Sequence, residues 1–129
     1  MDLPTADHEH LQAEGITYRV FEDAGLLCVL LTAFPLPVGL SEPSADVLFR
    51  LAALYPDAAP DMWWVSPALT TSGGTVIPGT EVTENHCGRN WQRWSRHLEP
   101  PMWRSGVDGL HTFVALLRNE LAKAAGSAA

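Results

Sequence analysis

The sequence predicts an α+β fold in which a four-stranded antiparallel meander is flanked by an N-terminal and a C-terminal helix. Three observations predict it. Ile16 to Phe21 and Leu26 to Phe34 are rich in apolar, aromatic and β-branched residues and flank Glu22-Asp23-Ala24-Gly25, the pattern of a hairpin. Val107, Leu110, Phe113, Val114, Leu117 and Leu121 recur at helical spacing. A chain of 129 residues with 47% hydrophobic content has room for one core and little for a second. Residues 1–129 are therefore expected to form one domain, ordered over about 3–121.

Taken in order, Thr5 to Glu14 reads as a short helix with Thr5 or Asp7 as its cap and Gly15 as its stop. The strand from Leu26 is apolar on both faces and is expected to be central. Pro35, Pro37, Gly39 and Pro43 then impose a loop, and Val47 to Leu51 reads as the third strand. The prolines of Tyr55-Pro56-Asp57-Ala58-Ala59-Pro60 make a turn before a short aromatic strand, Met62 to Val65. Trp63 and Trp64 point to opposite faces there, one towards the core and one towards a surface groove. Glycines, prolines and threonines between Pro67 and Glu84 predict a surface loop or small hairpin, with the sheet already ended. Ser105 or Asp108 can cap the last helix, with Trp103 anchoring it, Arg118 and Lys123 near the negative end of its dipole, and Gly126 to Ala129 fraying.

Composition excludes several functions. A net charge of -7 does not suit a general nucleic-acid binder, which needs a basic face. No apolar run approaches the roughly 20 residues that span a bilayer, and no leader pattern opens the chain, so a soluble cytoplasmic protein is expected. Cys28, in an apolar run and expected in the core, and Cys87 make neither a disulfide framework nor a zinc knuckle, which fits a reducing compartment. Lys123 is the only lysine, which argues against a lysine Schiff base. Nothing in the sequence calls for a metal or an organic cofactor.

The stretch richest in chemistry is Trp91-Gln92-Arg93-Trp94-Ser95-Arg96-His97, which puts a hydroxyl, an imidazole and guanidinium groups beside bulky aromatics. Arg89, Arg93, Arg96 and Arg104 cluster here with His86 and His97, opposed locally only by Glu99. Such a patch can steer an acidic partner or stabilise an anionic intermediate, or it is simply a solvated face.

Tyr55-Pro56 followed by Ala59-Pro60-Asp61-Met62-Trp63-Trp64, then a long loop, a Trp and a final helix, resembles the ubiquitin-conjugating enzyme fold. Ala59 stands in the first place of that superfamily's Pro-Pro pair. Gly88-Arg89-Asn90-Trp91-Gln92-Arg93-Trp94-Ser95-Arg96-His97 and Trp103-Arg104-Ser105-Gly106-Val107-Asp108-Gly109-Leu110 resemble more closely its bacterial branch, prokaryotic family E, over about Leu3 to Leu121. The resemblance implies transfer of a ubiquitin-like protein, delivered by an activating enzyme as an acyl adduct, to a target protein, with no nucleic acid or membrane involved. Most of the superfamily carries its acceptor cysteine about eight residues before a Trp, and that count back from Trp103 reaches Ser95. A His-Pro-Asn usually precedes the acceptor and supplies oxyanion stabilisation. Here the region reads Asn85-His86-Cys87 without the proline, which offers that role to Asn85 or His86.

Three readings of this segment are open. In the first, Ser95 is the acyl acceptor, His97 its base or orienting group, and Arg93 and Arg96 accessory groups for developing negative charge, giving an oxyester. Residues two apart share a face of a strand but not of a helix, so the local backbone decides whether Ser95 and His97 can meet. In the second, Cys87 is the nucleophile, its thiol activated by His86, Arg89 or a nearby helix terminus. In the third, the chain has lost catalysis and is a binding module for a ubiquitin-like protein or its activating enzyme, with Trp91, Trp94, Arg93 and Arg96 as an interface patch. Tyr55 and Trp103 hold the frame in each. A Ser-His-acid hydrolase using Glu99 or Asp108 lacks the Gly-x-Ser-x-Gly elbow. His8, Glu9 and His10 lack matched ligands for a metal and read as solvated, and His111 as structural or exposed.

Overall fold

In the computed structural model, which describes residues 2–126, helix α1 spans Thr5–Ala13. Neither Thr5 nor Asp7 caps it. Pro4 holds the N-cap place and its carbonyl accepts from the Asp7 N–H at 3.0 Å, while Gly15 stops the helix at φ 68°. Asp7 turns inward instead. Its carboxyl group accepts from the Tyr55 hydroxyl at 2.5 Å and from the Leu110 N–H at 3.0 Å, so it caps the other helix from a distance.

Strands β1 (Tyr18–Asp23) and β2 (Leu26–Pro35) are joined by Ala24-Gly25 alone, both at positive φ, 51° and 80°. That is the two-residue hairpin geometry whose twist matches the strands, so Glu22 and Asp23 become strand residues opposite Leu27 and Leu26. Strand β3 (Ser44–Arg50) starts before the expected Val47, and β4 is Trp63–Ser66. The sheet does not end there. A second hairpin, β5 (Val82–His86) and β6 (Arg89–Trp94), turns at Cys87-Gly88, again with both φ positive, and β6 pairs with β4. The sheet therefore has six antiparallel strands in the order β1-β2-β3-β4-β6-β5, two more than expected. A short 3₁₀ turn at Pro100–Met102 leads to α2, Leu110–Gly126. Val107 precedes α2 and is exposed, and of the expected fraying at Gly126 to Ala129, residues 127–129 lie outside the described residues.

Two apolar layers explain the strand sequences. On one face, Val29, Leu31, Val47, Phe49, Trp63 and Trp94 pack against Leu11 of α1 and Phe113, Leu117 and Leu121 of α2. Phe49 and Phe113 meet edge to face with centroids 5.0 Å apart, and Trp63 stands 5.7 Å from Phe113. Such pairs add about 1 kcal/mol each beyond simple burial. On the other face, Cys28, Leu30, Leu48, Trp64 and Trp91 form a second cluster with Phe21, Met62 and Cys87 against it. No helix among the described residues packs on this face. The β5–β6 hairpin leans over it: Trp64 Nε1 donates to Glu84 at 2.8 Å, the His86 ring meets Trp64, and Arg89 lies over Trp91 and reaches Asp46. Trp64 thus lies under a hairpin and is buried, not set in a surface groove.

Candidate active site

Ser95 follows directly on β6 and is partly buried. Trp63 opposes Trp94, yet the Met62 N–H donates to the Arg96 carbonyl at 3.0 Å and Asp61 meets His97. One residue, Met62, therefore faces two, Ser95 and Arg96. That is the count of a β-bulge, and Met62 itself sits at φ 62°. The bulge separates the side chains that strict strand alternation would place together. The Ser95 hydroxyl donates weakly to Met62 Sδ at 3.8 Å, while His97 Nδ1 hydrogen-bonds the Asp61 carboxylate. No hydrogen bond joins Ser95 to His97 among the described residues.

His97 and Asp61 are 56% and 60% exposed, so solvent screens their pairing and its chief effect is orientation. With Nδ1 donating to Asp61, Nε2 is the nitrogen left to take a proton. Asp61 is a partner of His97 that the sequence reading missed. It lies 36 positions from His97, and the one available signal was its place in the Ala59-Pro60-Asp61 entry to β4. Asp61 also lines a groove of about 360 Å³ with Asp57, Ala58, Ala59, Pro60, Leu98 and Trp103. Trp103 Nε1 donates to the Pro56 carbonyl at 2.9 Å, and its ring lies 6.2 Å from Tyr55. Ser105 hydrogen-bonds Asp57 and does not cap α2. Asp108 accepts from the Arg104 N–H and the Thr112 hydroxyl, which hold its carboxyl below the usual carboxylate range. The acid beside His97 is accordingly Asp61, not Glu99 or Asp108.

The remaining candidates point elsewhere. Arg96 donates to Glu120 at 2.7 Å and to the Pro78 and Ser95 carbonyls, with its guanidinium 5.1 Å from the Trp94 ring centroid. Its role is to tie the segment to α2. Gly79 makes room for it: a Cβ there would stand 2.6 Å from Arg96 Nη1. Arg93 pairs with Glu84 at 2.9 Å on the hairpin side. Hydrogen bonds from His86, Trp64 and Arg93 hold the Glu84 carboxyl below its ordinary value. Asn85 donates to Asn90, and His86 bonds Glu84, so neither makes an oxyanion contact at Ser95. Cys87, in the hairpin turn, has its thiol pushed up by burial and by Asp23, the reverse of an activated nucleophile. The arginine patch is neutralised by folding, because Arg89, Arg93, Arg96 and Arg104 each pair with a carboxylate. His8 is bonded to Tyr18 and Asp2 and is not simply solvated, and His10 lies against His111. Among the described residues, no group of three or more His, Cys, Asp or Glu side chains is placed to hold a metal.

A six-stranded antiparallel sheet with two helices on one face, a Tyr-Pro loop locked under a Trp and a hydroxyl-imidazole segment after the last strand make up an α+β domain. The family model for prokaryotic E2 family E matches residues 3–124, and the chain belongs to that family. No curated protein and no solved structure matches it. Membership carries a ubiquitin-conjugating-like role in general terms, with a ubiquitin-like protein and an activating enzyme as the partners the family implies. No helix among the described residues is long and apolar enough to cross a membrane.

Proposed function

We propose that the chain is a single-domain cytoplasmic carrier that accepts a bacterial ubiquitin-like protein from an activating enzyme as an oxyester on Ser95 and passes it to a target protein. The observation that carries this reading is the placement of a partly accessible Ser95 two residues before His97, itself held by Asp61 at the rim of the Trp103 groove. Ser95 Oγ turns from Met62 by rotation about χ1 and attacks the carbonyl carbon of the incoming thioester. His97 Nε2 takes the hydroxyl proton, and the enzyme thiolate leaves. In the second half, a target amine attacks the ester carbonyl, the acyl bond to Ser95 Oγ breaks as His97 returns its proton to that oxygen, and the amine's surplus proton passes to water as the amide forms. Asp61 fixes the imidazole's orientation throughout.

One observation favours a binding module instead: the Ser95 hydroxyl faces Met62 Sδ and not His97. Intact-mass analysis with activating enzyme, ubiquitin-like protein and ATP separates the two. The carrier forms an adduct that resists thiol reductant, is absent in Ser95→Ala and becomes reductant-sensitive in Ser95→Cys. His97→Ala slows its formation by about 100-fold or more, the usual share of a general base, and Asp61→Asn by about tenfold because the pair is solvent-screened. An adduct lost only in Cys87→Ala moves the acceptor to Cys87. Reversible association with no adduct makes the chain a binding module.

A further inference from the structure

The chain has two cysteines, and folding brings them together on the sheet face opposite the helices. Cys28 lies in β2, fully buried in the outer cluster. Cys87 comes from the tip of the β5–β6 hairpin, is partly exposed, and packs against the same cluster. The two thiols lie close enough to perturb each other's titration, and Asp23 and Arg50 stand beside them: Arg50 Nη1 is 4.0 Å from Cys28 Sγ and 2.8 Å from the Asp23 carboxylate, which is close enough to raise the Cys87 thiol as well. The tip they occupy is weakly tied by backbone. β6 pairs with β4 only from Gln92 to Trp94, and beyond that the hairpin is held to the outer face by side chains.

We propose that Cys28 and Cys87 are a latent cross-link site, at which a hydroperoxide-class oxidant forms a disulfide that latches the β5–β6 hairpin onto β2. The exposed thiol reacts first. Cys87 sulfur attacks one peroxide oxygen, becoming the sulfenic acid and releasing water or alcohol. Cys28 sulfur then displaces hydroxide from Cys87 sulfur, and the hydroxide leaves as water with the Cys28 proton. Two thiols lose two electrons, and the hydroperoxide gains them. Cys28 is shielded from oxidant and can only act as the resolving thiol.

The surroundings fit a durable latch more than a fast sensor. Burial pushes the Cys28 thiol up to about 11 and raises Cys87, with Asp23 adding to the second effect. Little thiolate is present, so oxidation is slow. By the same argument the reduced form gains nothing from thiolate stabilisation, and a disulfide once formed resists reduction. The cross-link would close the chain segment that holds β3, β4 and the loop after them. It would fix β6 at the end remote from Ser95.

The test is peroxide treatment of the whole protein, followed by intact-mass measurement and a non-reducing peptide map. The expected product is a monomer lighter by about 2 Da, with the Cys28 and Cys87 peptides joined, and reversed by strong phosphine reductant. Its Tm should lie on the order of 10 °C above that of the reduced protein, since the bond closes a long loop in the unfolded chain. Both changes should vanish in Cys87→Ser and, independently, in Cys28→Ala, so that loss of folding in one variant leaves the other to decide. Oxidation that adds oxygen to Cys87 while Cys28 stays a free thiol, or that gives only intermolecular dimers, overturns the proposal.

Discussion

Asp7→Ala tests the buried carboxyl group that joins three parts of the fold. Asp7 is 4% exposed and accepts from the Tyr55 hydroxyl and from the Leu110 N–H at the start of α2. Removing it leaves the N–H of fully buried Leu110 without an acceptor, at about 2 kcal/mol, and the half-buried Tyr55 hydroxyl without one, at about 1 kcal/mol. The sum is about 3 kcal/mol. For a chain of this length each kcal/mol moves Tm by about 4 °C, so a fall of about 12 °C is expected. Asp7→Asn keeps an acceptor and should cost about 1 kcal/mol. Tyr55→Phe removes one arm, so Asp7→Ala with Tyr55→Phe should cost about 1 kcal/mol less than the separate costs added. Burial and the Asp7 carboxyl push the Tyr55 phenol above its ordinary 10.0, so the folded chain keeps a proton that the unfolded chain releases. That share of stability is complete below pH 10 and is lost as pH rises above it, and Tyr55→Phe should remove it from the alkaline limb. Urea unfolding followed by circular dichroism measures all of this. An Asp7→Ala variant within about 0.5 kcal/mol of wild type would refute the network as a stabilising one.

Two further predictions concern the hairpin and the bulge. Glu84 has a folded-state value below its ordinary 4.5, so its contribution is present above pH 4.5 and is lost as pH falls below it. Glu84→Gln should flatten the acid limb of stability against pH there, and an unchanged limb would show that the Trp64, His86 and Arg93 bonds contribute nothing. Gly79 combines φ 79° with an Arg96 nitrogen where a Cβ would go. Gly79→Ala should cost about 1 to 2 kcal/mol in thermal unfolding, and Gly79→Ala in an Arg96→Ala background should recover part of it.

The first hairpin, the short aromatic strand and the last helix were legible because each carries its signal locally. Ala24-Gly25 supplies the positive φ that a two-residue turn needs, and the spacing of Leu110, Phe113, Leu117 and Leu121 marks one face of a helix. Strand β6 was not legible as a strand. Trp91 and Trp94 are three apart and lie on opposite faces of the sheet, and both are buried only because each face has its own apolar layer. A strand buried on both faces by large aromatics, with Gln92 and Arg93 between them, shows no alternation. Gln92 is itself buried, with its amide bonded to both the N–H and the carbonyl of Leu69. A linear reading registers Gln92 as polar and therefore exposed.

The same limit shaped the site. Ser95 and His97 stand out in sequence because they are neighbours, but their contacts are with Met62 and Asp61, which the fold supplies from another strand entrance. The arginines mislead in the opposite sense. Side by side in sequence they suggest a field for an oxyanion, yet Arg96 is drawn to Glu120 on α2 and Arg93 to Glu84 on β5. The charges nearest the groove are then Asp57 and Asp61, both acidic. A site of that sign favours taking a proton from a hydroxyl or an approaching ammonium over stabilising a negative oxygen. For the acyl transfer proposed at Ser95, these surroundings therefore favour base assistance by His97 over cationic stabilisation by the arginines.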